Sequence, residues 1–468
     1  MPDKYHIKTN HIQPRLPRIG KFGVVDWRED CARCHNCVKK ACVYDRYREE
    51  NIFIRDLDEV HTLYYECMGC FSCIQNCTKN LLTMSINPEY RNLGNEYWTP
   101  QIISTTWLEA ETGKVPVSGA GYRGKFSGDG FDSMWTDMSE IVRPTRDGIH
   151  GREYISTSVD IGRKPSFLNF KEGNMEMNLP PNLTLPFPVI FDLPSYIHTL
   201  PELEPCVIET AKQTGLIAII DPKKWESITL NNKEEYLEHI AFFLSPGDPE
   251  IPADRLRKTK LIELADGPAI EQQLTFLKKK YPELIIVVRL PMDCNALKRV
   301  QELTKYNIEA LHLVADLKGN EIGIENPKFM KEIVREAHNI LLKTSKRDEI
   351  TLIAGGGVGL SEHVAKAIIC GADLVSVNLP LLIALECRLC SSCKPGDYCA
   401  AKLDKDIDLK YGSGRMTNLI GAWHWQLVEL MGAMGMREVR RLRGDVGRAM
   451  FKNELEEEIY GPIFRKQN

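Results

Sequence analysis

Cysteines are the residues of this chain whose type and spacing most clearly indicate chemistry. There are 15 in 468 residues, eight of them between residues 31 and 77. The first group has the spacing C-x2-C-x2-C-x4-C and the second C-x2-C-x2-C-x3-C. Three thiolates at this spacing can wrap one corner of an iron–sulfur cubane, and the fourth cysteine of such a run commonly ligates the other cluster. We therefore predict two 4Fe-4S clusters, one on Cys31, Cys34, Cys37 and Cys77, the other on Cys67, Cys70, Cys73 and Cys42.

Zinc is the alternative metal for these eight cysteines. Zinc sites generally join two separated cysteine pairs rather than four ligands in one tight run, so the spacing favours iron–sulfur. The chain departs from the bacterial ferredoxin pattern because Val43 and Thr78, not prolines, follow the last cysteines, and because the connection 43–66 is long. These departures concern the prediction that each cluster takes its fourth cysteine from the other group, and not the presence of the two clusters. Two clusters within one short segment are most simply an electron relay.

Composition excludes several classes of function. The formal net charge is −4, from 60 basic and 64 acidic side chains, which gives no electrostatic reason to expect nucleic acid or an anionic membrane as partner. No apolar run approaches the ~18 residues that span a bilayer, and residues 1–10 lack the apolar core of a signal peptide. We therefore expect a cytoplasmic protein, in which clustered cysteines bind metal rather than form disulfides.

From about residue 180 onward, short β-rich runs alternate with charged stretches of helical period. Such nearly continuous apolar strands are typical of parallel sheets, and eight β–α units over roughly 200 residues favour a closed barrel. The fold class predicted is α/β: a (β/α)8 TIM barrel with an N-terminal two-cluster ferredoxin-like module and a C-terminal cysteine-rich, helical extension. Seven strands are predicted at 188–193, 216–220, 260–264, 284–290, 310–316, 350–355 and 374–379, and an eighth within 222–257.

The last two β–α units carry a pattern typical of phosphate binding. Gly355, Gly356 and Gly357 end the seventh strand, Ser361 is placed to cap the next helix, and Asn378 stands at the exit of the eighth strand. Glycines let the backbone approach an anion, and barrels often bind phosphate after strands seven and eight. A tight turn without a ligand is the alternative. Beside iron–sulfur clusters, the expected ligand is FMN, which accepts single electrons and delivers pairs.

A third cysteine group follows the last predicted strand directly. Its spacing is C-x2-C-x2-C-x5-C, formed by Cys387, Cys390, Cys393 and Cys399. Four thiolates permit a 4Fe-4S cluster, three suffice for a 3Fe-4S cluster, and a structural zinc is the alternative. The position predicts a third cluster beside the flavin phosphate.

The run TLIAGGGVGLSEHVAKAIICGADLVSVNLPLLIALECRLCSSCKPGDYC (351–399) resembles the end of the FMN barrel of the glutamate synthase large subunit. The tail WQLVELMGAMGMREVRRLRG (425–444) is similar to the helical segment that follows in that family, and 106–145 resembles the entry region of ferredoxin-fused, archaeal-type members. The resemblance implies an FMN phosphate held by the glycine turn and by the GAD strand that begins at Gly371. It also implies a 3Fe-4S cluster near Cys387, Cys393 and Cys399, and the reduction of 2-iminoglutarate to glutamate.

The chain departs from that family at the catalytic motifs. A long Gly-rich loop with a lysine, a His-His-Asp segment and a Gly-His-Asp-Gly-Gly turn are not found intact, and the stretches concerned include KLIELADGPAIEQQ and ALHLVADLKGNEIG. Arg289 stands where the family has a strand lysine. We predict that it stabilises the reduced flavin, with an ion pair to Glu263 or Asp316 as the alternative. His312 is predicted as a proton donor, with a buried structural histidine as the commoner alternative.

These observations divide the chain into a ferredoxin-like module (1–90), a connecting region (91–180), an FMN-binding barrel (181–386) and a third cluster site with a helical tail (387–468). The predicted function is that of an iron–sulfur flavoprotein oxidoreductase resembling glutamate synthase. The alternatives are an electron-transfer subunit of a larger anaerobic redox complex and a barrel whose flavin site is vacant. No amidotransferase domain is visible, so the expected partners are a redox protein or reductase subunit and a separate glutaminase subunit, in an oligomer or complex.

Overall fold

The structure is a computed structural model. It describes residues 5–17, 19–26, 34, 36, 38–41, 43, 70–116, 128–136, 154–163, 170–175, 180–194, 203–246, 248, 251–390, 399–403 and 407–464. Five of the predicted cysteine ligands lie outside the described residues: Cys31, Cys37, Cys42, Cys67 and Cys393.

Eight parallel strands close into a barrel, which confirms the predicted (β/α)8 fold. Their order around the barrel follows the order in the chain, and the last strand pairs with the first. The eighth strand expected within 222–257 is Ile240–Leu244. In chain order the strands are β1 Val189–Asp192, β2 Ala218–Ile220, β3 Ile240–Leu244, β4 Leu261–Ala265, β5 Ile285–Pro291, β6 Ala310–Val314, β7 Thr351–Gly355 and β8 Leu374–Val377.

A helix follows each strand and packs an apolar face on the sheet. The helix Ser361–Cys370, which follows β7, has every one of its residues buried. The longer helices are α1 Pro100–Thr112, α2 Leu203–Thr214, α3 Pro222–Ser227, α4 Ala253–Lys258, α5 Ile270–Lys280, α6 Ala296–Leu303, α7 Met330–Lys343, α8 Ser361–Cys370, α9 Leu379–Ala384, α10 Leu409–Ala433 and α11 Lys452–Phe464.

Shorter elements surround the barrel. Antiparallel pairs join Phe22–Asp26 to Leu82–Ile86, Met134–Thr136 to Ala449–Phe451, Val159–Gly162 to Asn182–Leu185, and Phe170–Lys171 to Asn174–Met175. The α-helical turns are Val38–Ala41, Ser72–Gln75 and Pro88–Arg91, and the 3-10 helices are Gly130–Ser133, Lys233–His239, Val439–Leu442 and Val446–Arg448.

The long helix α10 packs against α1 and against the barrel helix α2. It packs against α1, where the Asn418 amide donates to the carbonyl of Ala110 at 2.9 Å and the Trp423 indole donates to Glu109 at 3.2 Å. Helix α1 begins after the cap Thr99, with Pro100 in its first turn, and ends at Gly113 with φ of 66°. In the described part of the chain, no helix is both long and apolar enough to span a membrane.

Candidate functional site

Five polar side chains meet inside the barrel, and we call them the mouth cluster: Asp192, Glu263, Arg289, His312 and Ser376. They come from β1, β4, β5, β6 and β8 and touch one another between strands that are not neighbours. Contacts of this kind are possible only across the barrel interior. They lie toward the carboxyl ends of the strands, where barrel enzymes place their active sites.

Arg289 joins two carboxylates in this cluster. Its Nε donates to Glu263 Oε1 at 2.6 Å, and its Nη2 lies 2.7 Å from Asp192 Oδ1. The guanidinium also stacks over Phe243, with Cζ 4.4 Å from the ring centre. The ion pair predicted as the alternative for Arg289 is therefore present with Glu263, but its second partner is Asp192. Asp316 instead accepts the backbone N–H of Lys318, within its own turn.

Burial and charge act in opposite directions on this ion pair. Burial would raise the pKa of Glu263, but Arg289 and His312 outweigh it and lower that pKa to about 2. Burial likewise disfavours the charged Arg289, yet the two carboxylates raise its pKa. Both partners are thus ionised at neutral pH. Glu263 Oε2 is buried and has no hydrogen-bond partner among the described residues.

His312 is fully buried and uses both ring nitrogens. Its Nδ1 lies 2.8 Å from Glu263 Oε1 and its Nε2 lies 2.8 Å from Ser376 Oγ. An ionised carboxylate only accepts, so Nδ1 carries a proton and donates to Glu263. The Ser–His–Glu order matches that of hydrolase triads, but the Ser376 hydroxyl is buried and a Cβ on Gly355 would lie 2.4 Å from it. The Ser376 hydroxyl is therefore not exposed as a nucleophile would be.

The glycine turn after β7 is packed tightly against the loop after β6. Gly356 has φ of 101° and Gly357 φ of 67°, and a Cβ on either would lie 2.4 Å from the carbonyl oxygen of Asp316 or 2.7 Å from the Cα of Gly319. Both positions therefore require glycine. Within the described residues, the buried N–H groups of Gly356, Gly357 and Val358 donate no hydrogen bond. Consecutive N–H groups of this kind form an anion-binding nest, so the turn fits a phosphate.

Other residues predicted for the cofactor lie in different places. Asn378 is at the exit of β8, where its side chain accepts the N–H of Leu379 at 2.6 Å. Gly371 is instead the C-terminal cap of α8, with φ of 125°, and a Cβ there would lie 2.5 Å from His338. It precedes β8, at the end of the barrel opposite the glycine turn, so the structure gives it a packing role. Ser361 is the first residue of α8, after the cap position Leu360, and donates to the carbonyl of Trp423.

One described cysteine of the first N-terminal group, Cys34, lies close to the end of the second group. Cys34 Sγ is 3.7 Å from the hydroxyl of Thr78, the residue after Cys77. The backbone N–H of Asn36 and this hydroxyl lower the pKa of Cys34, which favours the thiolate. Cys77 Sγ accepts the N–H of Leu81 at 3.3 Å. The described Cys70 is exposed and Cys73 is buried.

The third cysteine group begins directly after α9. Cys387 is buried, Cys390 is exposed, and Cys399 Sγ accepts the N–H of Leu403 at 3.4 Å. A backbone hydrogen bond also joins this group to the segment that follows the N-terminal cysteines. In it, Gly94 N–H donates to the carbonyl of Arg388 at 3.1 Å.

Sequence reasoning did not identify Asp192 or Ser376 as members of the site. The signal for Ser376 is a hydroxyl within an otherwise apolar strand, LVSV, and for Asp192 an acid at the end of VIFD. Neither pattern shows which side chain it meets across the barrel.

Comparison with known proteins relates this chain to glutamate synthases. The family described as a conserved region in glutamate synthase matches residues 330–437. The archaeal-type glutamate synthase (NADPH) of Dehalococcoides mccartyi is 25% identical over 482 residues, 90% of this chain and 93% of that protein. The archaeal glutamate synthase (NADPH) of Archaeoglobus fulgidus is 22% identical over 493 residues, 90% and 92% of the two chains. The resemblance predicted from the sequence is thus confirmed and extends over nine-tenths of the chain.

Among solved structures, a mutant flavocytochrome b2 with benzoylformate matches at a TM-score of 0.41 and 14% identity, covering 80% of this chain and 86% of that one. This likeness is too distant to support an argument.

Proposed function

We propose, from the kinship of this chain with the archaeal-type glutamate synthases, that it is an iron–sulfur flavoprotein oxidoreductase that reduces 2-iminoglutarate to glutamate. The observation that carries the proposal is the extent of that similarity, which covers 90% of this chain and 93% of the Dehalococcoides mccartyi protein. The reduction takes two electrons and two protons. In this proposal electrons pass between the clusters and FMN, from a redox partner protein, and ammonia is free or supplied by a separate glutaminase subunit.

Contacts of the described cysteines support the cluster assignment. The closeness of Cys34 to Thr78 suits a first cluster that takes its fourth ligand from the second group, at Cys77. Backbone N–H groups that point at Cys77 and Cys399 are the kind of hydrogen bond that tunes cluster potentials. The contact of Gly94 with Arg388 suits electron transfer between the N-terminal module and the third cluster.

The glycine turn supports FMN as the cofactor. In this proposal the N–H groups of Gly356, Gly357 and Val358 hold the phosphate, with Asn378 at the neighbouring strand exit. FMN would accept single electrons and deliver a pair to the substrate. Arg289 is the partly exposed cation at the barrel mouth, with 20% of its side chain accessible. His312 acts behind it, as the buried group that helps keep Glu263 ionised.

One observation favours the second candidate, an electron-transfer subunit without substrate chemistry of its own. The charge of Arg289 is shared by Asp192 and Glu263, so the positive charge at the mouth is already balanced by two negative ones. A dianionic substrate or an anionic reduced flavin gains little from a cation in that state. Glutamate formation is therefore the step that the experiment must test directly.

The test uses the full chain purified without oxygen. By the ligand count we expect about twelve iron atoms per chain and about one FMN. After reduction, 2-oxoglutarate and isotope-labelled ammonium should give labelled glutamate, measured by mass spectrometry. Clusters and flavin that are reoxidised by acceptors without any glutamate would establish the electron-transfer role. Zinc in place of iron would refute the relay, and loss of flavin would indicate a structural barrel.

A matched pair of variants locates the chemistry. Arg289→Met should abolish glutamate formation, because it removes the cation of the mouth cluster. Arg299→Met is the control. Arg299 is likewise paired with a carboxylate, through two hydrogen bonds to Asp266, but it lies on α6 and outside the mouth cluster. Equal activity of the two variants would show that the mouth cluster does not contribute.

A further inference from the structure

The chain turns sharply between α9 and the third cysteine group. Glu386, the residue before Cys387, has φ of 71°, a positive value that residues other than glycine seldom adopt. Its backbone N–H donates to the carbonyl of Ile383 at 2.8 Å, and that of Cys387 donates to the carbonyl of Leu382 at 3.2 Å. A residue with a Cβ keeps such a conformation only where its surroundings hold it. The contacts of the Glu386 side chain show what holds it.

The Glu386 carboxylate is buried and accepts hydrogen bonds from two distant parts of the chain. Only 5% of the residue is exposed. Its two oxygens accept the backbone N–H groups of Arg15 and Leu16 at 3.2 and 3.3 Å, from the N-terminal segment. Oε2 also accepts the hydroxyl of Tyr411, in the first turn of α10, at 3.1 Å. Three donors that face one carboxylate match its ionised form, which only accepts hydrogen bonds.

Arg15 connects the two ends of the third cysteine group. Its Nε lies 3.6 Å from the Glu386 carboxylate, directly before Cys387. Its Nη2 donates to the carbonyl of Ala401 at 3.0 Å, two residues after Cys399. One side chain from the start of the chain therefore contacts the backbone or its neighbouring carboxylate on both sides of the predicted cluster ligands.

A second, fully buried arginine fixes the N-terminal segment to the end of α9. Arg415, on α10, is 1% exposed, and its Nε donates to the carbonyl of Ala384, the last residue of α9, at 2.5 Å. Its Nη1 donates to the carbonyl of Ile12 and its Nη2 to that of Trp107, both at 3.4 Å. The N-terminal segment, α1, α9 and α10 are thus joined around the chain that leads into Cys387.

We propose that Glu386 and Arg15 are positioning residues of the third cluster, which hold Cys387 and Cys399 in place and set the reduction potential of the cluster with opposite charges. This inference rests on the third cluster of the proposed function. The described residues of the group fit that role, because Cys399 Sγ accepts the N–H of Leu403, as the sulfur atoms around iron–sulfur clusters do. A negative charge beside a cluster disfavours the uptake of an electron, and a positive charge favours it.

The test measures the potential of the third cluster in the anaerobically purified full chain. Redox titration is followed by low-temperature electron paramagnetic resonance, and the signal that Cys387→Ser removes belongs to the third cluster. Glu386→Gln removes a negative charge and should raise the potential by about 59 mV, a tenfold change in a one-electron equilibrium. Arg15→Gln removes a positive charge and should lower it. Displaced ligands alone would not shift the two variants in opposite directions.

Glu309→Gln is the matched control. Glu309 is also a buried carboxylate that accepts a backbone N–H, from Ile286 at 3.2 Å, and pairs with a cation, Lys278 at 2.8 Å. It lies directly before β6, away from the third cysteine group in the chain, and the variant should leave every cluster potential unchanged.

The iron content separates failure of this inference from failure of the proposed function. With about eleven or twelve iron atoms in the unchanged chain, shifts of the same sign in Glu386→Gln and Arg15→Gln, or none beyond that of Glu309→Gln, would overturn the inference alone. About eight iron atoms would overturn the third cluster and the inference with it. Because 27% of the Arg15 side chain is exposed, Arg15→Gln should fold even where Glu386→Gln does not, and an unlowered potential in it would also overturn the inference.

Discussion

The two ends of the barrel each hold a cluster of arginine, histidine and carboxylate, and the two clusters differ in how fully their polar atoms are bonded. At the carboxyl ends of the strands is the mouth cluster. At the opposite end is a second group, which we call the base cluster: His338, Arg347, Asp373 and Arg443. Both combine buried charges of opposite sign, so residue type alone does not separate them.

The base cluster gives each side-chain nitrogen of its central arginine a hydrogen-bond partner. Arg347 is 3% exposed and donates to His338 Nδ1, to the carbonyls of Ile350 and Gly371, and to Asp373. The mouth cluster leaves Glu263 Oε2 without a partner among the described residues and keeps Arg289 partly exposed. Saturated polar networks hold a fold together, whereas an open, unsatisfied one is typical of a site that receives a ligand. From this comparison we propose that the base cluster stabilises the fold and that the mouth cluster receives a ligand.

Arg347→Met should produce the largest loss of stability. Removing one partner of a buried ion pair typically costs about 3–5 kcal/mol, since the groups left behind remain buried. The free energy of unfolding, measured by chemical denaturation, should fall by that amount. Arg443→Met is the control because Arg443 contacts the same Asp373 from a more exposed position and should cost about 1 kcal/mol or less. Equal losses would contradict the contrast between a saturated arginine and its neighbour.

The base cluster should also make stability depend on pH. Burial, followed by the charges of Arg347, Arg335 and Arg443, lowers the pKa of His338 to about 4. In the unfolded chain the ordinary pKa is about 6.5, so the unfolded state takes up a proton first as the pH falls. This contribution is fully present above about pH 6.5 and is lost, by at most about 3 kcal/mol, down to about pH 4.

His338→Asn keeps an acceptor for Arg347 without a titrating ring and should flatten this slope. Glu263, whose pKa is lowered to about 2, contributes stability that is present above its unfolded pKa of about 4.3 and is lost below it. His338→Asn should therefore leave unchanged the loss of stability that Glu263 causes at more acidic pH. A slope between pH 6.5 and 4 that survives in His338→Asn would assign it to other groups.

The sequence predicts elements whose signal is local and misses contacts that depend on closure of the barrel. Seven strands follow from apolar runs, and the eighth, Ile240–Leu244, directly follows the charged stretch Lys233–His239, which is why only its region could be given. Gly356 and Gly357 follow from the need for positive φ at a turn. Gly371 was placed by resemblance at the flavin phosphate, but a cap of α8 has the same local pattern as a phosphate turn.

The partners of Arg289 show most clearly which contacts cannot be predicted from the sequence. Glu263 on the neighbouring strand could be proposed as a partner, whereas Asp192 is nearly one hundred residues away and meets Arg289 only because the barrel closes. The same closure brings Ser376 to His312. Pairing across a barrel depends on strand order and register together, and neither can be read from a run of apolar residues.

Ser376→Ala should have the smallest effect on stability and is the sharpest probe of the mouth cluster. The hydroxyl makes one buried hydrogen bond, to His312 Nε2 at 2.8 Å, so its loss should cost about 1 kcal/mol. Thr351→Val, at the base of β7, removes a comparable buried hydroxyl that bonds to the backbone of Gly162 and should cost a similar amount. If the mouth is functional, only Ser376→Ala should alter the pH dependence of turnover, because it alone changes the groups that exchange a proton with His312. Equal turnover profiles for the two variants would place His312 with the structural groups of the base, and the contrast between the two ends would then rest on Arg289 alone.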